Sequence, residues 1–154
     1  MVAVKNVSLA EEHLHDHFAA GDGGEGSLAV MPGSLVIEGM AQTAGILVGH
    51  ADGFRQKVIL AKINRAVMHG EATPGLTIRH EATIVRLDGA GASTKGVSTL
   101  IDPATGDARQ LAEIDLIFSH IDQNMAGMGF PEHNFVFGEA FRNLLRSSGV
   151  AVPA

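Results

Sequence analysis

Two titratable side chains in the first third of the chain have the types that acid–base chemistry requires. His17 carries an imidazole, which can accept a proton and return it near neutral pH. Glu38 interrupts the otherwise apolar stretch SLVIEGMAQTAGILVGH, and burial of a carboxyl group among apolar side chains favours its neutral, protonated form. The two residues are therefore a candidate base and a candidate proton donor.

Both residues also have structural interpretations, which the sequence leaves open. Glu38 and Gln42 are one helical turn apart and share a face, so Glu38 could be a structural acid that is hydrogen-bonded to Gln42. His13, His15 and His17 alternate along the chain, as in a polar surface patch. No cysteine and no further histidine at i+4 completes a zinc set with these three, so a metal site is not expected.

The elements that must position these residues are one long helix and a set of strands. Pro32 suits the first turn of a helix, and the apolar residues that follow predict a helix to about Gly49 that other structure surrounds. Alternation and β-branched residues predict strands, joined by Asp- and Gly-rich turns, at Ala3–Leu9, Lys57–Ile63, Leu76–Leu87, Ser93–Ile101 and Arg109–Ile121. The sequence thus predicts one buried helix followed by an antiparallel meander.

Two other groups of residues have no predicted chemistry. Residues 122–154 are expected to form an extension that packs on a domain of residues 1–121, with a short strand NFVF and a helix from about Glu139 to Ser147. One face of that helix would carry Ala140, Phe141, Leu144 and Leu145. The remaining histidines are expected at the surface or at an interface: His50, His69, His80, His120 and His133.

The composition excludes several classes of function. A length of 154 residues with 45% hydrophobic and 18% charged residues suits one globular domain, and the net charge of −6 argues against nucleic acid as a partner. There is no cysteine, no apolar run long enough to span a membrane and no signal-peptide pattern at the start. A soluble, cytoplasmic protein that does not bind membranes is therefore expected.

Six segments together resemble a known family. They are VKNVSL, DHF, VMPGSLVIEGMAQTAGIL, VILAKINRA, TPG and LAEIDLIFSH, and they cover roughly residues 3 to 120. The run of Met-Pro-Gly, apolar residues, Glu and Met-Ala-Gln is the most specific. The chain is similar here to 3-hydroxyacyl-(acyl-carrier-protein) dehydratases of the FabZ and FabA type. The resemblance implies an α+β hot-dog fold, in which a curled antiparallel sheet wraps a long central helix.

The resemblance also implies roles for four residues. The active-site histidine and acid of the family fall on His17 and Glu38, the glycine whose N–H faces the thioester carbonyl falls on Gly33, and the helix glutamine falls on Gln42. The implied reaction removes water from a 3-hydroxyacyl chain on acyl carrier protein, without a cofactor or a metal. The active site of the family is shared between two chains, so a homodimer, alone or as a trimer of dimers, is expected.

Two alternatives remain open at this stage. An acyl-thioester hydrolase of the same fold would use an acid to activate water, without a His–Glu pair. The other alternative is a non-catalytic acyl-binding homologue, because Ala19 and Ala20 replace the family's Pro-Gly after His-Phe and begin the glycine-rich loop Ala19–Ser27. That loop lacks the consecutive Lys-Ser/Thr pair of a phosphate-binding loop and is expected to be mobile or to cover the mouth of the site.

Overall fold

The chain folds as one long helix on a five-stranded sheet. The computed structural model describes residues 1–15, 29–124, 127 and 129–153, so His17 and the whole loop Ala19–Ser27 are outside the described residues. The strands are β1 (Val2–Asn6), β2 (Val58–Met68), β3 (Thr77–Asp88), β4 (Gly91–Ile101) and β5 (Ala108–His120). The helices are α1 (Glu12–His15), α2 (Gly33–Ala51), α3 (Ile121–Asn124) and α4 (Glu139–Ser147). The predicted central helix is confirmed, and β3, β4 and β5 form a meander as predicted, whereas β2 pairs with β5 and not with the next strand in the chain.

The sheet is antiparallel throughout, with the strand order β1-β3-β4-β5-β2. The short strand β1 and the long strand β2 form its two edges, and α2 packs against one face. This arrangement is the predicted α+β hot-dog architecture. None of the helices in the described part of the chain is both long and apolar enough to cross a membrane.

Strand β5 shows why the sheet has one buried face. Ala112, Ile114, Leu116 and Phe118 are all buried, whereas the residues between them are only partly buried. This is the alternation that the sequence predicts for an antiparallel strand with one side on the core. The core that results also includes residues of α2, such as Val36 and Met40.

Two glycines allow α2 to approach the sheet closely. A Cβ atom at Gly39 of α2 would lie 2.6 Å from Nε2 of His80, and one at Gly96 of β4 would lie 2.3 Å from Sδ of Met40. Real Cβ atoms do not approach other heavy atoms so closely. The backbones of the helix and the sheet are therefore closer than side chains at these two positions would permit.

Two of the histidines expected at the surface or at an interface are instead buried in the chain itself. His80 is 2% exposed and its Nδ1 is 2.8 Å from Oγ of Ser98, while His120 is 1% exposed and its Nδ1 is 3.2 Å from the carbonyl oxygen of Gly89. Both lie on the core-facing side of their strands, where the alternation places them. The strand pattern predicts this burial better than the polarity of histidine does.

The C-terminal residues differ from the prediction in two respects. The segment NFVF is not a strand, because the Asn134 side chain accepts hydrogen bonds from the N–H groups of Val136 and Phe137 and folds the chain into a turn. Helix α4 has the predicted bounds, but Leu144 is 58% exposed, and Leu145 is its buried residue.

The Gly39→Ala substitution is expected to destabilise the protein by about 1–3 kcal/mol, because the new methyl group would force His80 away from α2. Gly45→Ala, in the same helix, is the matched control, since its Cβ would lie 3.4 Å from Phe118, an ordinary contact. It should be neutral or stabilise the protein by up to about 1 kcal/mol through helix propensity. Urea unfolding of both variants measures this, and equal stabilities would contradict the close contact.

His80 should make the stability depend on pH. Burial lowers its pKa from the ordinary value of 6.5, so below that pH the unfolded chain binds a proton that the folded chain does not. The free energy of unfolding should therefore be level above pH 6.5 and should fall as the pH decreases below it.

Urea unfolding from about pH 7.5 to about pH 5.5, above the range in which carboxylates titrate, measures this dependence. His80→Gln should weaken it, whereas the exposed His133→Gln should leave it unchanged. An unaltered pH dependence in His80→Gln would show that the buried imidazole is not its source.

Candidate active site

Glu38 and Gln42 lie side by side on the flank of α2 that faces away from the core. Nε2 of Gln42 donates a hydrogen bond of 2.6 Å to Oε1 of Glu38, and both side chains are exposed. The core face of the helix carries Val36 and Met40, each two positions from Glu38 and therefore on another side. The burial expected for Glu38 is thus wrong for the single chain, whereas the hydrogen bond between Glu38 and Gln42 is present.

A groove with a volume of about 240 Å³ begins beside these two residues. It lies between α2, the edge strand β2, strand β5 and the residues before and within α4. Gly45 leaves space on the helix side, and Phe118 comes from β5. Phe137 and Phe141 come from residues 134–147, here called the C-terminal segment. Apart from Glu38 and Gln42, every residue that lines the groove is apolar or glycine. The arrangement suits an apolar chain with a reactive polar end.

Gly33 is the first residue of α2. The N–H of Met31 donates a hydrogen bond of 2.8 Å to the carbonyl oxygen of Ala72, which ties the start of the helix to the loop after β2. N–H groups in the first turn of a helix have no acceptor within the helix, and the helix dipole makes this end positive. Gly33 therefore has the position that a donor to a carbonyl oxygen requires, and it lies about 7.5 Å from Glu38 along the helix axis.

The structure brings together only some of the predicted site residues. Glu38 and Gln42 are hydrogen-bonded, and Gly33 begins the same helix. His17 lies outside the described residues, so its pairing with Glu38 stays a prediction. Within the described ranges, no group of three or more histidine and acidic side chains is placed to hold a metal ion.

Phe137 and Phe141 are site residues that sequence reasoning missed. Their rings are 6.0 Å apart, and both line the groove that starts at Glu38. The spacing of four residues between two phenylalanines was the available signal, but it predicts only a shared face and not the surface that the face contacts.

A larger cavity, of about 410 Å³, lies elsewhere, around the turn between β3 and β4. Arg86 and Asp88 at its edge form an exposed ion pair of 2.7 Å. Exposed pairs of this kind are common on protein surfaces and contribute little. Because Glu38 and Gln42 line the smaller groove and neither lines this cavity, the smaller groove is the better candidate site.

Comparison with known proteins identifies the family. A FabA-like domain matches residues 1–105. The chain is 31% identical over 116 residues to the 3-hydroxyacyl-(acyl-carrier-protein) dehydratase FabZ of Solibacter usitatus, which covers 74% of this chain and 67% of that protein. It is 32% identical over 109 residues to the FabZ of Clostridium tetani, which covers 70% of this chain and 72% of that one.

Solved structures with the same fold include acyl-CoA hydrolases. One from Staphylococcus aureus, in complex with butyryl coenzyme A, has a TM-score of 0.63 at 13% identity and covers 97% of this chain and 86% of its own. One from Agrobacterium tumefaciens has a TM-score of 0.62 at 19% identity and covers 80% of this chain and 43% of its own. These similarities establish the hot-dog fold. The domain match and the FabZ relatives together show that the chain belongs to the FabA-like family of 3-hydroxyacyl-(acyl-carrier-protein) dehydratases.

Proposed function

We propose that the protein is a hydro-lyase that converts 3-hydroxyacyl thioesters on acyl carrier protein into trans-2-enoyl thioesters, in fatty-acid or related lipid synthesis in the cytoplasm. The observation that carries the proposal is the Glu38 carboxyl group, which Gln42 holds at the mouth of an apolar groove. The FabZ relatives support the same reaction.

The proposed mechanism uses three groups and no cofactor or metal. His17 removes the α-proton, and the electrons of that C–H bond form the new double bond as the C–O bond at the β-carbon breaks. Glu38 gives its proton to the departing hydroxide, which leaves as water. The N–H of Gly33 donates a hydrogen bond to the thioester carbonyl oxygen, where negative charge develops.

The hydrogen bond from Gln42 orients the Glu38 carboxyl group for this role. Gln42 donates to Oε1, so the other oxygen of Glu38 is available to carry the proton. The same bond is what a purely structural acid would make. The position of the pair beside an apolar groove favours the catalytic role, because a structural ion or amide pair needs no adjoining cavity.

The site needs a second chain. Glu38 is exposed in the single chain, and a carboxyl group that donates a proton in catalysis is better placed where water is excluded. Strand β2 is an 11-residue edge strand with Ile63 and Met68 exposed, and long exposed edges pair with other strands. We propose a homodimer in which two β2 strands pair and His17 of each chain approaches Glu38 of the other. The dimer would exist either by itself or as part of a trimer of dimers.

A thioester hydrolase is the second candidate, since the hot-dog structures of acyl-CoA hydrolases share this architecture. In that case Glu38 would act ionised and would activate a water molecule that attacks the thioester carbonyl. The products separate the two reactions, because hydrolysis releases the thiol and dehydration leaves the thioester intact. An acyl-binding protein without activity would do neither.

Glu38→Gln should reduce the turnover of a 3-hydroxyacyl thioester by a factor of about 100 or more, because the amide cannot deliver a proton. Its fold should persist, since glutamine has the same shape and can still bond to Gln42. His17→Ala should have a similar effect on turnover. The absorbance of the enoyl thioester product measures the rates.

The matched control is Glu132→Gln, an exposed acid whose side chain does not line the groove. It should keep full activity and the same melting temperature. If Glu38→Gln turned over substrate as fast as Glu132→Gln, Glu38 could not be the acid.

Ile63→Lys should convert the dimer into monomers and abolish activity, because a charged side chain on an edge strand opposes pairing. Val97→Lys is the matched control, since Val97 is an exposed β-branched residue on the interior strand β4, where it is paired with Glu81 of β3 and Glu113 of β5. Light scattering during gel filtration measures the mass of each variant. A monomeric wild-type protein with full activity would contradict the shared site.

A further inference from the structure

The C-terminal segment lines the groove and, through Phe137, lies against the C-terminal part of α2, away from Glu38. The groove follows α2 towards its C-terminus, where a Cβ at Gly49 would lie only 2.6 Å from the Phe137 ring. Gly49 is 11 residues after Glu38, which is about 16 Å along a helix. This segment lies beyond the residues 1–105 that match the FabA-like domain. This part of the groove lining therefore includes residues outside that match.

Hydrogen bonds clamp this segment to the chain that follows α2. Nδ2 of Asn134 donates to the carbonyl oxygens of Phe54 and Gln56, each at 3.1 Å. The Arg142 guanidinium donates to the carbonyl oxygens of Phe54, at 2.9 Å, and Phe137, at 3.0 Å. Phe137 is 4% exposed, and its ring contacts the Phe54 ring edge-on. The wall at this end is consequently fixed in place.

Phe141 differs from the residues that form the clamp. Its ring packs on Phe137 and lines the groove, it is only partly buried, and its side chain takes no part in the clamping hydrogen bonds. The Phe141 ring can therefore be removed while the wall stays attached. The groove volume of about 240 Å³ is below the range of roughly 300–1,000 Å³ that is typical of ligand pockets.

We propose that the C-terminal segment is the end wall of the acyl-chain site, and that Phe141 sets the greatest length of acyl chain that the site accepts. The proposal rests on the proposed function in one respect, namely that the acyl chain enters the groove beside Glu38. An acyl chain fits because the lining beyond Glu38 and Gln42 is apolar, so each buried methylene gains binding energy until the chain meets the ring. A longer chain would have to displace Phe141 or leave methylenes in water.

The test compares kcat/KM for 3-hydroxybutanoyl and 3-hydroxydecanoyl thioesters in the wild type, Phe141→Ala and Phe141→Leu. The wild type should prefer the short chain. Phe141→Ala should raise the ratio of long-chain to short-chain kcat/KM at least about tenfold, which corresponds to roughly two further buried methylenes. Phe141→Leu keeps an apolar contact with Phe137 and should shift the ratio in the same direction by less.

Phe135→Ala is the matched control. Phe135 belongs to the same segment, is 45% exposed and does not line the groove, so its removal should leave the chain-length ratio unchanged. Melting temperatures of all variants confirm that each is folded at the assay temperature. A ratio in Phe141→Ala and Phe141→Leu equal to that of the wild type would overturn the proposal.

A second measurement separates this inference from the proposed reaction. Calorimetric titration with saturated butanoyl and decanoyl thioesters of N-acetylcysteamine reports binding without turnover. If no 3-hydroxyacyl thioester were dehydrated, the proposed function would fail, but tighter decanoyl binding by Phe141→Ala would still support the end wall. Unchanged relative affinities for the two thioesters in Phe141→Ala would overturn it, whatever the activity.

Discussion

The contact between α2 and the sheet is the constraint on which the rest of the structure depends. It is close because Gly39 and Gly96 have no side chains where the helix meets His80 and where Met40 meets β4. With one side of α2 committed to this contact, the flank with Glu38 and Gln42 must face the groove beside β2. The location of the candidate site thus follows from how the helix is packed.

The sequence predicted the main elements well, because β5 alternates clearly and α2 is a long, mostly apolar stretch that begins after Pro32. The bounds were less accurate where the period is weak. Strand β2 continues to Met68, five residues beyond the predicted end, because an exposed edge strand has no buried face to impose alternation. The strand predicted at NFVF fails for a local reason, since Asn134 bonds to the N–H groups that a ladder would need.

The site was predictable only in part. The positions of Glu38 and Gln42 follow from their spacing on one helix face, which is local information. The exposure of Glu38 in the single chain was not predicted, because the sequence of a mostly apolar helix does not show which flank the sheet leaves uncovered. Phe137 and Phe141 line the groove through contacts with residues about 90 positions earlier in the chain, and no local pattern encodes these.

The proposed reaction is tested most directly by the fate of labelled oxygen. The protein is incubated with a trans-2-butenoyl thioester in water enriched in oxygen-18, and the products are analysed by mass spectrometry. The hydro-lyase mechanism runs in both directions, so it predicts an intact 3-hydroxybutanoyl thioester with the label in its hydroxyl group. Label in a free carboxylate, with release of the thiol, would contradict dehydration and establish hydrolysis.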